Sequence, residues 1–284
     1  MSAGSSTGGS AGFVPDPNQP PGATATLTWK NLEPTELFSA AGPSFFDVLQ
    51  NQSSDCAFDS ALTAVALQNP NQIRNLIRFV GTTKSGNKVY GVTLYAGDFS
   101  NVPQEIVVDE TLLVGGTSIY DPAVIDPNNG SRILWASMFR KANAVLRGGY
   151  EMATSPGSAL AELSGRLPGS INPRSPSAQA DLKSDLAAKD AVAVSSLSDG
   201  FGIPGSTDNG IYYCVPQNGM TYCVAKMHAY AIISDDGSTV TVRNPWGNNA
   251  ISPIGDGRGQ NGLVALPVGV FQKMFGLAVL ESFP

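Results

Sequence analysis

Two hairpin patterns follow one another late in the chain, and they constrain the fold more than any other feature. The stretch CVPQNGMTYC, residues 214–223, centres on Asn218-Gly219, a dipeptide that strongly favours a two-residue hairpin turn. Residues 228–234 and 239–243 are alternating and β-branched, and an Asp-Asp-Gly turn lies between them. These patterns predict an antiparallel sheet in the second half of the chain.

The first hairpin also predicts a pairing of cysteines. With Asn218-Gly219 as the loop, Cys214 faces Cys223 at a non-hydrogen-bonded position, where opposite side chains approach most closely. The spacing therefore favours a cross-strand disulfide, and the alternative is two free thiols on a hairpin. A disulfide would favour an extracellular, secreted protein, and a cytoplasmic location is the alternative.

The third cysteine lies where a helix is predicted to begin. Ser53, Ser54 and Asp55 are residue types that cap helices, and apolar residues recur at helical spacing from Phe58 onward. Cys56 would therefore lie in the first turn, where the helix dipole favours a thiolate and lowers the pKa of the thiol. Taken alone, a cysteine at a helix start is more often structural than catalytic.

The single histidine is followed by an asparagine at a sequence separation that a hairpin would bring together. Asn244 follows His228 by sixteen residues, and the predicted turn lies midway, so a simple hairpin places the two residues opposite each other, within one residue. An amide oxygen beside an imidazole can orient the ring, as in Cys-His-Asn sites. Trp246 follows and could shield that hydrogen bond from water. The alternative is a lone histidine at a strand end.

Composition excludes some classes of function. The chain has 284 residues, of which 17 are basic and 23 acidic, and its net charge of -6 argues against nucleic-acid binding. No apolar run is long enough for a membrane span. Residues 1–25 are rich in Gly, Ser and Pro, which predicts a flexible leader.

Several motifs together resemble the calpain-like, papain-type cysteine proteases. HAY at 228–230 and RNPWG at 243–247 are similar to the family's histidine and asparagine motifs, and Gln50 precedes Cys56 at the family's spacing of oxyanion donor and nucleophile. Four longer segments resemble other family patterns: WKNLEPTELFS at 29–39, VYGVTLYAGDFSNVPQEIVVDETL at 89–112, LWASMFRKANAVLRGGYEMATSPGSALAELSG at 134–165 and GLVALPVGVFQKMFGLAVLESF at 262–283.

The resemblance implies an α+β, two-lobed papain-like fold. A mainly helical lobe, residues 26–166, would carry the cysteine, a connector would cover 167–184, and a β lobe, 185–284, would carry the histidine and asparagine. The resemblance also implies a monomeric endopeptidase acting on proteins or peptides. In it Cys56 would be the nucleophile held as thiolate by His228, Asn244 the orienting residue and Gln50 the oxyanion donor.

The resemblance further implies calcium, with Asp47 and Glu162 near the positions of acidic ligands; two solvated surface carboxylates are the alternative. Two residues depart from the family pattern. Ala57 replaces a large aromatic residue after the nucleophile, and Met227 replaces the glycine before the histidine, at the rim of the cleft. These departures leave open an inactive calpain-fold binding module. A transglutaminase-like acyltransferase is another alternative, since it uses the same thiol-imidazole chemistry.

Overall fold

The computed structural model describes most of the chain after the leader. The predicted leader, residues 1–25, lies outside the described residues. The ranges that the structure describes are 27–50, 53–95, 102–115, 118–119, 122–150, 154–198, 205–208, 210–247 and 260–283. Within them no helix is long and apolar enough to cross a membrane.

Both halves of the described chain contain helices and strands. The helices are α1 (Cys56–Gln68), α2 (Pro70–Leu76), α3 (Trp135–Arg147), α4 (Pro156–Ser164), α5 (Ala178–Ala187) and α6 (Val268–Met274), and short 3-10 turns cover Phe45–Asp47 and Gln260–Gly262. The strands of the first half are β1 (Leu27–Lys30), β2 (Thr35–Glu36), β3 (Ile77–Thr82), β4 (Lys88–Tyr95), β5 (Pro103–Asp109), β6 (Leu112–Gly115), β7 (Ser118–Ile119), β8 (Val124–Ile125) and β9 (Arg132–Ile133). Those of the second half are β10 (Gly169–Ile171), β11 (Ala191–Ser196), β12 (Thr207–Asp208), β13 (Tyr212–Gln217), β14 (Met220–Ala225), β15 (Ala229–Asp235), β16 (Thr239–Arg243), β17 (Leu263–Pro267) and β18 (Phe275–Glu281).

A six-stranded antiparallel sheet organises the second half. Its strand order is β10-β18-β11-β15-β16-β17, and β12, β13 and β14 form a separate three-stranded sheet. The second half is therefore the antiparallel structure that the hairpin patterns predict. Residues 167–184, predicted as a connector, include β10 and part of α5. Since β10 pairs with β18, this segment contributes to the large sheet.

The first half contains helices and small sheets. In its described part, α1 to α4 stand beside three small sheets, β1-β6-β7, β2-β9-β8 and β3-β4-β5. Strands therefore form a large share of this half, since β4 and β5 pair with each other over seven residues, and its assignment as a mainly helical lobe stays a prediction.

The pleat of the large sheet explains how α1 is placed. Along β11, the side chains of Ala191 and Ala193 join the apolar cluster around α1, while Val192 and Val194 join the cluster on the opposite face. Ala231 of β15 also faces the cluster around α1. Small side chains let the helix backbone approach the sheet closely, and α1 packs against both β11 and β15. The first residue of α1 therefore lies near the start of β15.

The hairpin of β13 and β14 has the predicted register. Cys214 pairs with Cys223 and Gln217 with Met220, and both turn residues have positive φ, 52° at Asn218 and 77° at Gly219. These angles are those of the type I′ turn that Asn-Gly favours. A disulfide joins Cys214 and Cys223, as the spacing predicts.

Candidate active site

Cys56 is the first residue of α1, as predicted, and it is a free, partly exposed thiol. The backbone N–H groups of Ala57 and Ala229 lie close enough to the sulfur to favour its thiolate form, although burial outweighs them and raises the pKa of Cys56. Ala229 directly follows His228, so packing of α1 on the sheet brings the candidate nucleophile to the strand start that carries the imidazole.

His228 lies in a turn that a buried serine holds in place. The Ser196 hydroxyl, at the end of β11, donates to the carbonyl oxygen of Ala225 at 2.6 Å and accepts from the His228 N–H at 3.0 Å. The hydroxyl of Tyr230 accepts from the Ala225 N–H at 2.9 Å. Neither Ser196 nor Tyr230 stands out in the sequence, because a serine or a tyrosine in a strand does not by itself indicate a functional role.

The His228 side chain is bonded to Asn244, although the two residues are not directly opposite. Asn244 Oδ1 lies 3.0 Å from His228 Nε2. Ala231 pairs with Arg243, so the ladder extended by three residues would set His228 opposite Trp246. The turn centres on Gly237-Ser238, since Asp235 pairs with Val240, and this later turn shifts the register from the simple hairpin. A bulge between Ile232 and Ser234 reduces that shift by one residue. Asn244 reaches the imidazole from just beyond the end of β16.

The hydrogen bonds of Asn244 fix the imidazole tautomer. Asn244 Oδ1 also accepts from the Trp246 N–H at 3.0 Å, which identifies this amide atom as the oxygen. His228 Nε2 must therefore carry the hydrogen that it donates to Asn244. Nδ1 of the neutral ring is then the basic nitrogen.

Aromatic rings enclose the histidine. The Trp246 ring lies 4.5 Å from the imidazole, centroid to centroid, and the Tyr230 ring meets it edge-on at 5.1 Å. The position of Trp246 is that of the predicted shield over the bond between His228 and Asn244.

The environment favours a neutral thiol and a neutral imidazole. Burial raises the pKa of Cys56, and the carboxylates of Asp55 and Asp59 raise it further, against the lowering effect of the two backbone N–H groups. Burial lowers the pKa of His228 to about 4, although the hydrogen bond to Asn244 opposes this change. The expectation that the helix start lowers the pKa of Cys56 is therefore wrong for this structure, because desolvation outweighs the helix dipole.

Gln50 is buried in the segment just before α1. Its backbone N–H donates to the Pro245 carbonyl oxygen at 2.8 Å, next to Asn244. Its side-chain Nε2 donates to the Ser53 carbonyl oxygen at 2.6 Å, which leaves one amide hydrogen for another acceptor. Gln50 Oε1 finds no donor in the described part of the chain, and buried polar atoms of this kind are uncommon.

Asp47 and Glu162, the predicted calcium ligands, are buried and bonded to protein donors. Asp47 Oδ2 accepts from Trp135 Nε1 at 2.7 Å and from the Ser44 N–H at 2.8 Å. Glu162 pairs with the Arg147 guanidinium and accepts from Asn143 Nδ2 at 2.8 Å. Among the described residues no three His, Cys, Asp or Glu side chains form a group that could hold a metal. These donor-bonded carboxylates do not fit a calcium ion as they stand, and calcium stays an untested prediction.

The two departures from the family pattern have different structural settings. Ala57 is buried in α1. Met227 is 79% exposed, and its φ of 48° lies in the left-handed region that glycine favours. The backbone at position 227 thus has a conformation suited to glycine, the residue that Met227 replaces in the family pattern.

Comparison with known proteins agrees with the motifs. Residues 14–253 match the model of the calpain family of cysteine proteases. The chain belongs to this family. It is also similar to calpain clp-4 of Caenorhabditis elegans, with 27% identity over an alignment of 236 residues that covers 78% of this chain. Those residues span 30% of the relative's length.

Membership of the calpain family accounts for the mixed α+β content of the structure, which is consistent with a papain-like fold. It also identifies the chain as carrying a cysteine protease domain.

Proposed function

We propose that the chain is a cysteine endopeptidase that hydrolyses peptide bonds of protein substrates, with Cys56 as nucleophile and His228 as general base and acid. The observation that carries the proposal is the bond between His228 Nε2 and Asn244 Oδ1 at 3.0 Å. It leaves Nδ1 as the nitrogen that can take a proton, on a residue whose neighbour Ala229 has its backbone N–H close to the Cys56 thiol. Family membership supports the same reaction class.

The first half-reaction forms a thioester. His228 Nδ1 takes the proton of the Cys56 thiol as the sulfur attacks the carbonyl carbon of the substrate. The developing oxyanion accepts hydrogen bonds from the remaining Gln50 Nε2 hydrogen and from the Cys56 N–H, which is one of the unpaired amides of a helix start. The imidazolium then protonates the leaving amine, and the C–N bond breaks.

The second half-reaction restores the enzyme. A water molecule gives a proton to Nδ1 and attacks the thioester, which releases the carboxylic acid and returns the proton to the thiolate sulfur. In the resting state the pKa values favour thiol and neutral imidazole, so proton transfer accompanies attack in this scheme. Asn244 holds the ring in one tautomer throughout.

Hydrolysis of a fluorogenic peptide library and of an unfolded protein tests the proposal. The wild-type chain should release peptides, while Cys56→Ala and His228→Ala should reduce kcat at least roughly a thousandfold. Cleavage retained by Cys56→Ala would contradict the proposal. Peptide binding without cleavage by the wild-type chain would also contradict it and would favour a binding module.

A further inference from the structure

Two buried arginines bind consecutive carbonyl groups just before Gln50. Arg243 Nη2 donates to the Val48 carbonyl oxygen at 2.8 Å, and Arg140 Nη1 donates to the Leu49 carbonyl oxygen at 2.5 Å. The two side chains come from different parts of the chain, since Arg140 lies in α3 and Arg243 ends β16. They meet at the segment 48–50, from which Gln50 projects.

Each arginine also binds the helix that begins with Cys56. Arg140 Nη1 lies 3.3 Å from Asp59 Oδ1, and Arg243 Nη1 donates to Thr63 Oγ1 at 3.3 Å. Asp59 and Thr63 are four residues apart and therefore share one face of α1. Each guanidinium thus joins α1 to the backbone that carries Gln50.

Both arginines are buried, and burying a charged side chain costs free energy. Arg140 is 2% exposed and Arg243 is 1% exposed. Among the described residues no carboxylate lies within 4 Å of Arg243; burial lowers its pKa to about 10, so it stays charged at neutral pH. A guanidinium offers several donors in a fixed plane, so one group can hold two acceptors in a set geometry, which a lysine ammonium cannot reproduce.

Arg243 also connects the segment to the other end of the site. It directly precedes Asn244, and the Gln50 N–H donates to the next carbonyl oxygen, that of Pro245, at 2.8 Å. The residues that would orient the imidazole and the residue that would bind the oxyanion are therefore held by one bonded network.

We propose that Arg140 and Arg243 are positioning residues that hold Gln50 against the Cys56 end of α1 and keep it in register with Asn244. The inference rests on the proposed function, in which Gln50 binds the oxyanion. Both arginines affect turnover by positioning Gln50, and neither contacts the substrate. Activation of the thiol does not depend on them.

Two variants remove the contacts without leaving a lone buried carboxylate. Arg243→Lys keeps a positive charge but cannot bind Val48 and Thr63 together. Arg140→Met combined with Asp59→Asn removes both members of the ion pair. The matched control is Lys141→Met with Asp109→Asn, which removes the neighbouring buried pair of α3, where Nζ and Oδ1 lie 2.6 Å apart.

Peptide hydrolysis and alkylation of Cys56 by iodoacetamide separate positioning from general damage. We expect both arginine variants to lose about tenfold or more in kcat with KM changed less than about threefold, and the control to lose less than about threefold. Alkylation, which forms no oxyanion, should keep its rate in Arg243→Lys within about twofold of wild type. The variant with Asp59→Asn is not compared in this assay, because burial and the Asp59 carboxylate together raise the pKa of Cys56. In a Gln50→Ala background the same arginine changes should cost less than about threefold more, because their effect passes through Gln50.

Several results would overturn the inference. They are an equal loss in the Gln50→Ala background, an equal loss in the control, or unchanged kcat in the arginine variants. Should the wild-type chain prove inactive, the proposed function fails, and hydrogen exchange of the amides at 48–50 still decides the inference. Exchange about tenfold faster in Arg243→Lys, with no change in the control, supports positioning, and unchanged exchange refutes it.

Discussion

Asn244 Oδ1 accepts two hydrogen bonds at 3.0 Å, one from the His228 imidazole and one from the Trp246 backbone N–H. One oxygen thus fixes both the tautomer of the only histidine and the turn that places a tryptophan ring over it. Removing the side chain of Asn244 or of Trp246 should therefore change the acid–base behaviour of His228.

Asn244→Ala should lower kcat about 10- to 100-fold, since the imidazole loses the acceptor that holds its tautomer. Peptide hydrolysis measures kcat and KM, and circular dichroism verifies the fold. Asn244→Gln, which keeps an amide on a longer side chain, is the matched control and should recover part of the loss. An alanine variant with wild-type kcat would show that the bond does not serve turnover.

Trp246→Ala should move the acidic limb of the kcat/KM profile to higher pH by about one unit. Burial holds the pKa of His228 at about 4, and removal of the ring admits water to the imidazole, which favours the charged form. The measurement is peptide hydrolysis from about pH 3 to about pH 7, roughly two units on either side of the shifted pKa near 5. An acidic limb that stays in place would mean that Trp246 does not desolvate the ring.

Stability should fall with acid partly through His228. The pKa of about 4 in the folded chain lies below the ordinary 6.5, so unfolded chains bind the proton first as pH falls. This stabilisation is complete above pH 6.5 and is lost toward pH 4, by roughly 3 kcal/mol in all. Urea unfolding of the wild-type chain and of His228→Gln should differ by up to one bound proton in this range. Equal slopes of the free energy of unfolding against pH in the two chains would contradict a buried, neutral imidazole.

Met227→Gly should stabilise the fold by about 0.5–1 kcal/mol, because the left-handed backbone at φ 48° disfavours a side chain. Little packing is lost, since the methionine is mostly exposed. Met227→Ala keeps a Cβ atom and should give no such gain. Equal free energies of unfolding for the glycine and alanine variants would remove backbone strain as the explanation.

The native chain should titrate one thiol, that of Cys56, and three after reduction in denaturant. Cys214→Ala with Cys223→Ala should lower the free energy of unfolding by about 2–3 kcal/mol, since a short closed loop is released in the unfolded state. Thiol titration under non-reducing conditions and urea unfolding provide the measurements. Three reactive thiols in the native chain would contradict the disulfide.

Local chemistry explains which features the sequence could predict. The hairpin at 214–223 follows from Asn218-Gly219 alone, and the start of α1 follows from the helical spacing after Asp55, which is the N-cap residue although its side chain makes no cap hydrogen bond. Both depend on residues within one turn of each other. The spacing of His228 and Asn244 correctly suggested a hairpin, but its turn lies later than the midpoint between the two residues, since Asp235 pairs with Val240, and this changes the register.

Features that depend on distant packing were predicted poorly. Asp47 is bonded to Trp135, 88 residues away, and this contact takes up the carboxylate offered as a calcium ligand. The raised pKa of Cys56 comes from burial and from Asp55 and Asp59, which no local pattern weighs against a helix dipole. Arg243 belongs to the RNPWG segment at 243–247, but its partners lie 180 and 195 residues earlier.

The most direct test of the account is covalent labelling by an epoxysuccinyl peptide, read by intact mass and peptide mapping. The wild-type chain should form one adduct, on Cys56, and Cys56→Ala should form none. His228→Ala should react at least about a hundredfold more slowly, because Nδ1 no longer takes the thiol proton. Labelling of the wild-type chain and of His228→Ala at equal rates, or no adduct on the folded wild-type chain, would contradict an activated nucleophile at Cys56.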